Sequence, residues 1–198
     1  MLIWTDIETT GLDPDKDHLL EIAVIVTDDL LDEKARFQRV ILPDVDEVIL
    51  AELTNVNPDD DLSVQHAAGV SGFHPIVVQM HAKNGLWKEC VAAENDSTDL
   101  DMVLENWILS SGAEGAQLAG SSVHFDRSFI RKQLPRSIKK CHYRNLDVSS
   151  VTEIARRFYP LAYATMPRPP KDKAHRGMPD ILASIEILRH YLRELRQR

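Results

Sequence analysis

The sequence predicts an α/β fold, a mixed sheet flanked by helices. Two observations predict it. Three strand-like segments follow one another within the first 42 residues, and helical and strand-like patterns alternate from residue 97 onward. Leu2–Ile7 reads as the first strand, broken by Thr9-Thr10-Gly11. Leu19–Thr27 is an apolar run rich in β-branched residues, suited to a strand buried on both faces. Arg36–Leu42 alternates as a third strand and stops at Pro43, with Asp28-Asp29 at hairpin distance before it. Residues 44–75 mix Asp59-Asp60-Asp61 with Pro58, Gly69, Gly72 and Pro75, and read as an irregular insertion with short helical turns. Ser97–Leu109 reads as a helix, with Ser97 or Thr98 as N-cap and Leu100, Val103, Leu104, Trp107 and Ile108 on one face. Gln117–Val123 follows as a strand, Asp126–Gln133 as a helix ended by Pro135, Tyr143–Val148 as a strand and Ser149–Arg157 as a helix. Pro160–Lys173 holds four prolines and reads as a loop, and Asp180–Arg196 closes the chain as a helix, with Pro179 where a first turn tolerates it. No repeat period interrupts this order, and residues 1–198 read as one domain with enough chain for a sizeable core.

Composition narrows the function classes. Apolar residues make up 43% and charged residues 27%, as in a soluble globular protein rather than a disordered one. No apolar run approaches the ~20 residues that span a bilayer. Asp6 and Glu8 stand where a signal peptide needs a basic start. Cys90 and Cys141 form no CxxC pair and no zinc spacing, so two buried free thiols and a cytoplasmic location are expected. The net charge of −8 argues against a nucleic-acid partner, but it averages two unlike halves. Residues 1–126 carry 6 basic and 25 acidic side chains (−19); residues 127–198 carry 17 and 6 (+11).

The carboxylates carry the chemistry. Asp6 and Glu8 lie two apart on a strand, so both project from one face. Two like charges on one face repel unless a cation sits between them, and hard divalent cations want oxygen ligands. Asp126 follows a strand and opens a helix, and Asp180 begins another; singly, each would pass as a first-turn acid. His175 precedes Asp180 by five residues, and an unperturbed imidazole, with a pKa of ~6.5, suits proton abstraction near neutral pH.

Taken together, the order Asp6, Glu8, Asp126, His175-x4-Asp180 resembles the DEDDh exonucleases. DIETTGL (6–12) is similar to their first motif, SSVHFDRSFI (121–130) to the second and HRGMPDI (175–181) to the third. The resemblance implies a ribonuclease H-like fold and hydrolysis by two metal ions about 4 Å apart. It makes Asp6, Glu8, Asp126 and Asp180 the metal ligands and His175 the general base. The expected cofactor is a pair of Mg2+ ions, with Mn2+ satisfying the same oxygens.

Within that group the chain is similar to the oligoribonucleases. HYRNLDVSSVTEIARRFYP (142–160), WTDIETTGLD (4–13), HRGMPDILASIEILRHY (175–191) and, less closely, MHAKNGL (80–86) carry the likeness, which covers most of residues 1–42 and 80–198. It implies a 3′–5′ exoribonuclease that cuts short single-stranded RNA bearing a 5′ phosphate to 5′-mononucleotides, and a homodimer. By position, Leu12 matches the wedge against the bases, His81 a residue near the 3′ nucleotide and Ser122 a substrate-contacting serine. Tyr143, Arg144 and Ser149 match the segment that reaches across the dimer to the 5′ phosphate. His124-Phe125 stands where the family usually has Gly-Gln. Three other readings remain: a proofreading-type 3′–5′ DNA exonuclease of the same fold, a non-catalytic nucleic-acid-binding module, and a small-nucleotide phosphatase with no strand polarity.

Overall fold

A computed structural model describes residues 1–93, 99–168 and 175–196. Its centre is a five-stranded sheet in the order β3-β2-β1-β4-β5. β1 (Leu2–Thr9), β2 (Leu19–Thr27) and β3 (Glu33–Val40) form an antiparallel meander. β4 (Gln117–Gly120) and β5 (His142–Asp147) extend it in parallel on the far side of β1. The sheet is thus mixed, as the hairpin-rich start and later alternation predict. All nine residues of β2 are buried, because helices cover both of its faces.

On one face, Ile3, Ile7, Ile22 and Val24 meet Leu104 and Ile108 of α5 (Leu100–Ser110) and Phe129 and Ile130 of α6 (His124–Gln133). On the other, Trp4, Ala23 and Ile25 meet Met178, Ile181, Ile185 and Leu188 of α10 (Gly177–Arg196). α8 (Val148–Phe158) contributes Val148 to that second layer. α7 (Pro135–Lys139) is held by Asp101 of α5, whose buried carboxylate accepts from the backbone N–H of Arg136 and Ser137 at 2.8 Å each.

Residues 44–75 are ordered as helix, which differs from the irregular stretch expected. α1 (Glu47–Thr54), α2 (Asp61–Ser71) and α3 (Pro75–Lys83) run on into α4 (Leu86–Ala92) and build a satellite core around Leu20, Val64, Trp87 and Cys90. Asp46, Asp60 and His74 cap the first three, each accepting from the N–H two residues on. Two further differences are local. Pro160–Ala164 forms a short helix, α9, where a loop was expected, while residues 169–173 of that loop lie outside the described residues. Asp99 caps α5, and Ser97 and Thr98, the expected caps, also lie outside the described residues. Cys90 is buried and Cys141 half-buried, both free, and burial pushes their thiols up to about 12 and about 11. Among the described residues no helix is long and apolar enough to cross a membrane.

Candidate active site

Strand periodicity puts Trp4, Asp6 and Glu8 on the face of β1 that α10 covers. Where Trp4 packs, the contact is apolar; one and two steps further along that face it becomes acidic. Asp180, in the first turn of α10, completes the group: one carboxylate oxygen from each of Asp6, Glu8 and Asp180 lies within 4.8 Å of the others. Gly177 permits this approach. A Cβ there would sit 2.7 Å from the Ala23 Cβ and 3.1 Å from the Asp6 carbonyl oxygen, so any side chain would push α10 off the strand.

Asp126 stands beside this trio rather than within it. It is the third residue of α6, 4% exposed, and its Oδ1 accepts from the N–H of Ile7 at 3.0 Å. Ile7 is the residue between Asp6 and Glu8, so Asp126 grips the strand at the level of the cluster. Burial pushes its carboxyl up to about 7, outweighing the two backbone N–H groups that favour the charged form; the nearby Asp147 adds to the rise.

His175 is exposed on the segment entering α10, at a backbone φ of 36°, the left-handed region. Its carbonyl accepts from Asn84 Nδ2 at 2.9 Å. His81, expected near the 3′ nucleotide, is instead shut in at 0% exposure. Its Nε2 lies 3.1 Å from the Thr9 carbonyl and 4.0 Å from Glu8 Oε2, and its ring meets Trp87 edge-on at 5.2 Å. Desolvation pulls its pKa down to about 4, so the ring is neutral and Nε2–H donates to Thr9. His81 therefore braces the end of β1 and presents nothing to an open cleft.

The other expected substrate residues fall into two places. Leu12 is 81% exposed on the Thr10–His18 turn, which is stapled by bonds from Thr10 Oγ1 and the Asp13 N–H to Asp17 at 3.0 and 2.8 Å. Ser122, at a φ of 55°, and Ser149 come together with their hydroxyls 3.2 Å apart, both N–H groups donating to Asp147 Oδ1. Exposed His124 joins that cluster, with Nδ1 3.8 Å from Asp147 Oδ2. Tyr143 and Arg144 sit on the edge strand β5, both exposed, with the guanidinium 5.4 Å from the Tyr143 ring centre. The register places His142 beside Gln117, and Gln117 beside Leu2. Asp6 is four residues further along β1, roughly 13 Å at strand rise, so Tyr143 and Arg144 stand at the opposite end of the sheet from the carboxylates.

Two arginines of the basic C-terminal part face inward. Arg127 is 8% exposed and donates to Asn145 Oδ1 and the His142 carbonyl. Arg176 bridges Glu21 of β2 at 2.8 Å and Glu89 of α4 at 2.6 Å. This Glu21–Arg176–Glu89 bridge was not foreseen. The signal for it was Glu21 itself, a charge in an otherwise apolar strand that had to find a partner.

Residues 3–106 match the RNase T family model, described as exonuclease. Over 194 residues the chain is 37% identical to a protein named oligoribonuclease from Mycobacterium bovis, covering 97% of this chain and 80% of that one. It is 36% identical over 194 residues to the oligoribonuclease of Leifsonia xyli, covering 96% and 81%. A solved structure of E. coli exonuclease I, in complex with the oligonucleotide 5cy-dT13, matches with a TM-score of 0.55 and 18% identity. That match spans 96% of this chain but only 39% of the other, and it is a likeness of fold, the ribonuclease H-like sheet with its flanking helices. Likeness over nearly the whole chain and a carboxylate cluster at the strand end agree: this chain belongs to the oligoribonuclease family of 3′–5′ exonucleases.

Proposed function

We propose that the protein hydrolyses short single-stranded RNA from its 3′ end to 5′-mononucleotides, using two Mg2+ ions seated by Asp6, Glu8, Asp126 and Asp180. The observation that carries this reading is the cluster of Asp6, Glu8 and Asp180 within 4.8 Å. An all-carboxylate set suits a hard divalent cation, Mn2+ as well as Mg2+, and its own repulsion is relieved by one. When bound, such ions activate a water and stabilise the leaving oxygen. The remaining work belongs to the chain. Asp6 and Glu8 are fixed by the pleat of β1, Asp180 by α10 and Asp126 by its bond to Ile7. His175 takes the proton of the attacking water. Leu12 packs its exposed side chain against the bases, and the paired hydroxyls of Ser122 and Ser149 donate to substrate oxygens.

Tyr143 and Arg144 lie toward the other end of the sheet from their own carboxylates. In this reading they cap the 5′ phosphate bound in a second copy's site, across a homodimer. The free thiols suit the reducing cytoplasm.

Asp6→Asn tests the assignment. It keeps the shape of the side chain and removes a charge, so metal-dependent turnover should vanish while the far-ultraviolet circular dichroism stays as in the parent. Retained Mg2+-dependent release of mononucleotides by this variant would sink the metal seat.

A further inference from the structure

The corner between α3 and α4 touches three functional points at once. At its start, His81 holds the Thr9 carbonyl at the end of the strand bearing Asp6 and Glu8. At its turn, Asn84 Nδ2 donates to the His175 carbonyl at 2.9 Å. Beyond it, Glu89 receives two bonds from Arg176 at 2.7 and 2.6 Å, and Arg176 also holds buried Glu21, the cross-strand partner of Glu8. The Gly177 N–H then reaches Glu21 Oε2 at 3.4 Å. Residues 175 to 177 are each pinned, the first of them in a left-handed conformation that a non-glycine residue holds only when its surroundings over-determine it.

We propose that Asn84, supported by the Arg176–Glu89 pair, is a positioning residue that sets His175 against the carboxylate cluster. The proposal rests on the reading of His175 as the base. A base works only when placed, and a misplacement of about 1 Å costs on the order of 100-fold in rate. The α3–α4 corner fixes both the strand with the carboxylates and the backbone of the base, and so sets the separation between them. Arg176 is a poor place to test this, since removing it strands the buried charge of Glu21 and threatens the fold. Asn84 is a better one. Its Oδ1 accepts from the Leu86 N–H at 2.9 Å at the start of α4, and its Nδ2 donates to the His175 carbonyl. Asn84→Asp keeps the acceptor and replaces the donor with an oxygen that repels the carbonyl. Asn84→Ala removes the donor without adding charge.

The test is a double-mutant cycle on a 5′-phosphorylated RNA dinucleotide in Mg2+, comparing the parent, Asn84→Asp, Asn84→Ala, His175→Ala and each Asn84 variant combined with His175→Ala. Both Asn84 variants should lower kcat about 10- to 100-fold with KM unchanged, and should cost nothing further once His175 is gone. Full kcat in both Asn84 variants overturns the proposal. So does a loss that is equally large in the His175→Ala background, because Asn84 then acts by another route. Full activity in His175→Ala itself instead removes the base assignment on which the proposal stands. If Asn84→Asp fails to fold, the Asn84→Ala arm decides.

Discussion

Asp126 is the carboxylate whose surroundings most change its chemistry. Burial raises it from 3.8 to about 7, so in the absence of a cation it is mostly neutral below that pH. A carboxyl raised in the folded state favours folding fully below its unfolded value, and that contribution fades as pH rises through about 7. With chelator present, the melting temperature of the parent protein should fall relative to that of Asp126→Asn across this window, and added Mg2+ should flatten the fall. Parallel pH profiles for the two proteins would show that the Asp126 proton is not linked to folding. Sequence was informative at this scale where spacing alone decides. Asp6 and Glu8 share a face because the strand period is two. The motif order offers Asp126 as a candidate, but not its bond to Ile7, which exists only because β1 and α6 meet across 119 residues of chain. His81 is expected near the 3′ nucleotide, and the structure buries it fully, with Nε2 4.0 Å from Glu8 Oε2. One histidine in a sequence looks like another until its burial is known.

At the scale of elements, the strands and the closing helix were legible because their patterns are strong. Leu19–Thr27 appears with the bounds its apolar run predicts. Helices α1 to α3 were not legible, because each buries little: Leu53 alone in α1, Val64, Ala67 and Ala68 in α2, and Val78 and His81 in α3. An amphipathic stripe that thin is hard to separate from loop composition, and the caps Asp46, Asp60 and His74 were the better signal. β5 carries the element-level prediction. If Arg144 serves the other copy's site, a mixture of Asp6→Asn and Arg144→Ala chains, co-refolded or co-expressed, forms mixed dimers in which one site has intact carboxylates and an intact Arg144 from its neighbour. Activity on the 5′-phosphorylated dinucleotide should therefore rise above that of either variant alone, to about a quarter of the parent's for random pairing. No gain on mixing would place Arg144 in service of its own chain or of no site at all.

For the whole molecule, the charge arithmetic changes meaning once the fold is known. A net charge of −8 suggested no dealings with nucleic acid, yet Asp6, Glu8, Asp126 and Asp180 are gathered at one strand end. Of the basic C-terminal part, Arg127 and Arg176 are consumed inside the fold, while Arg144 stays exposed. The acidic total itself fits a substrate with few phosphates to neutralise. The Glu21–Arg176–Glu89 bridge is hidden in the sequence for the same reason as the partner of Asp126: Glu21 signals that it needs a partner, but Arg176 lies 155 residues away and nothing local names it. A chain-length series decides whether the protein is a metal-dependent nuclease for very short RNA. Initial rates of mononucleotide release should be measured on 5′-phosphorylated RNAs of two to about ten nucleotides and on single-stranded DNA of about twenty, in Mg2+ and in chelator. Cleavage should be fastest at the shortest RNAs, decline with length and vanish in chelator. Faster cleavage of the long DNA, or rates indifferent to the metal, would overturn the assignment.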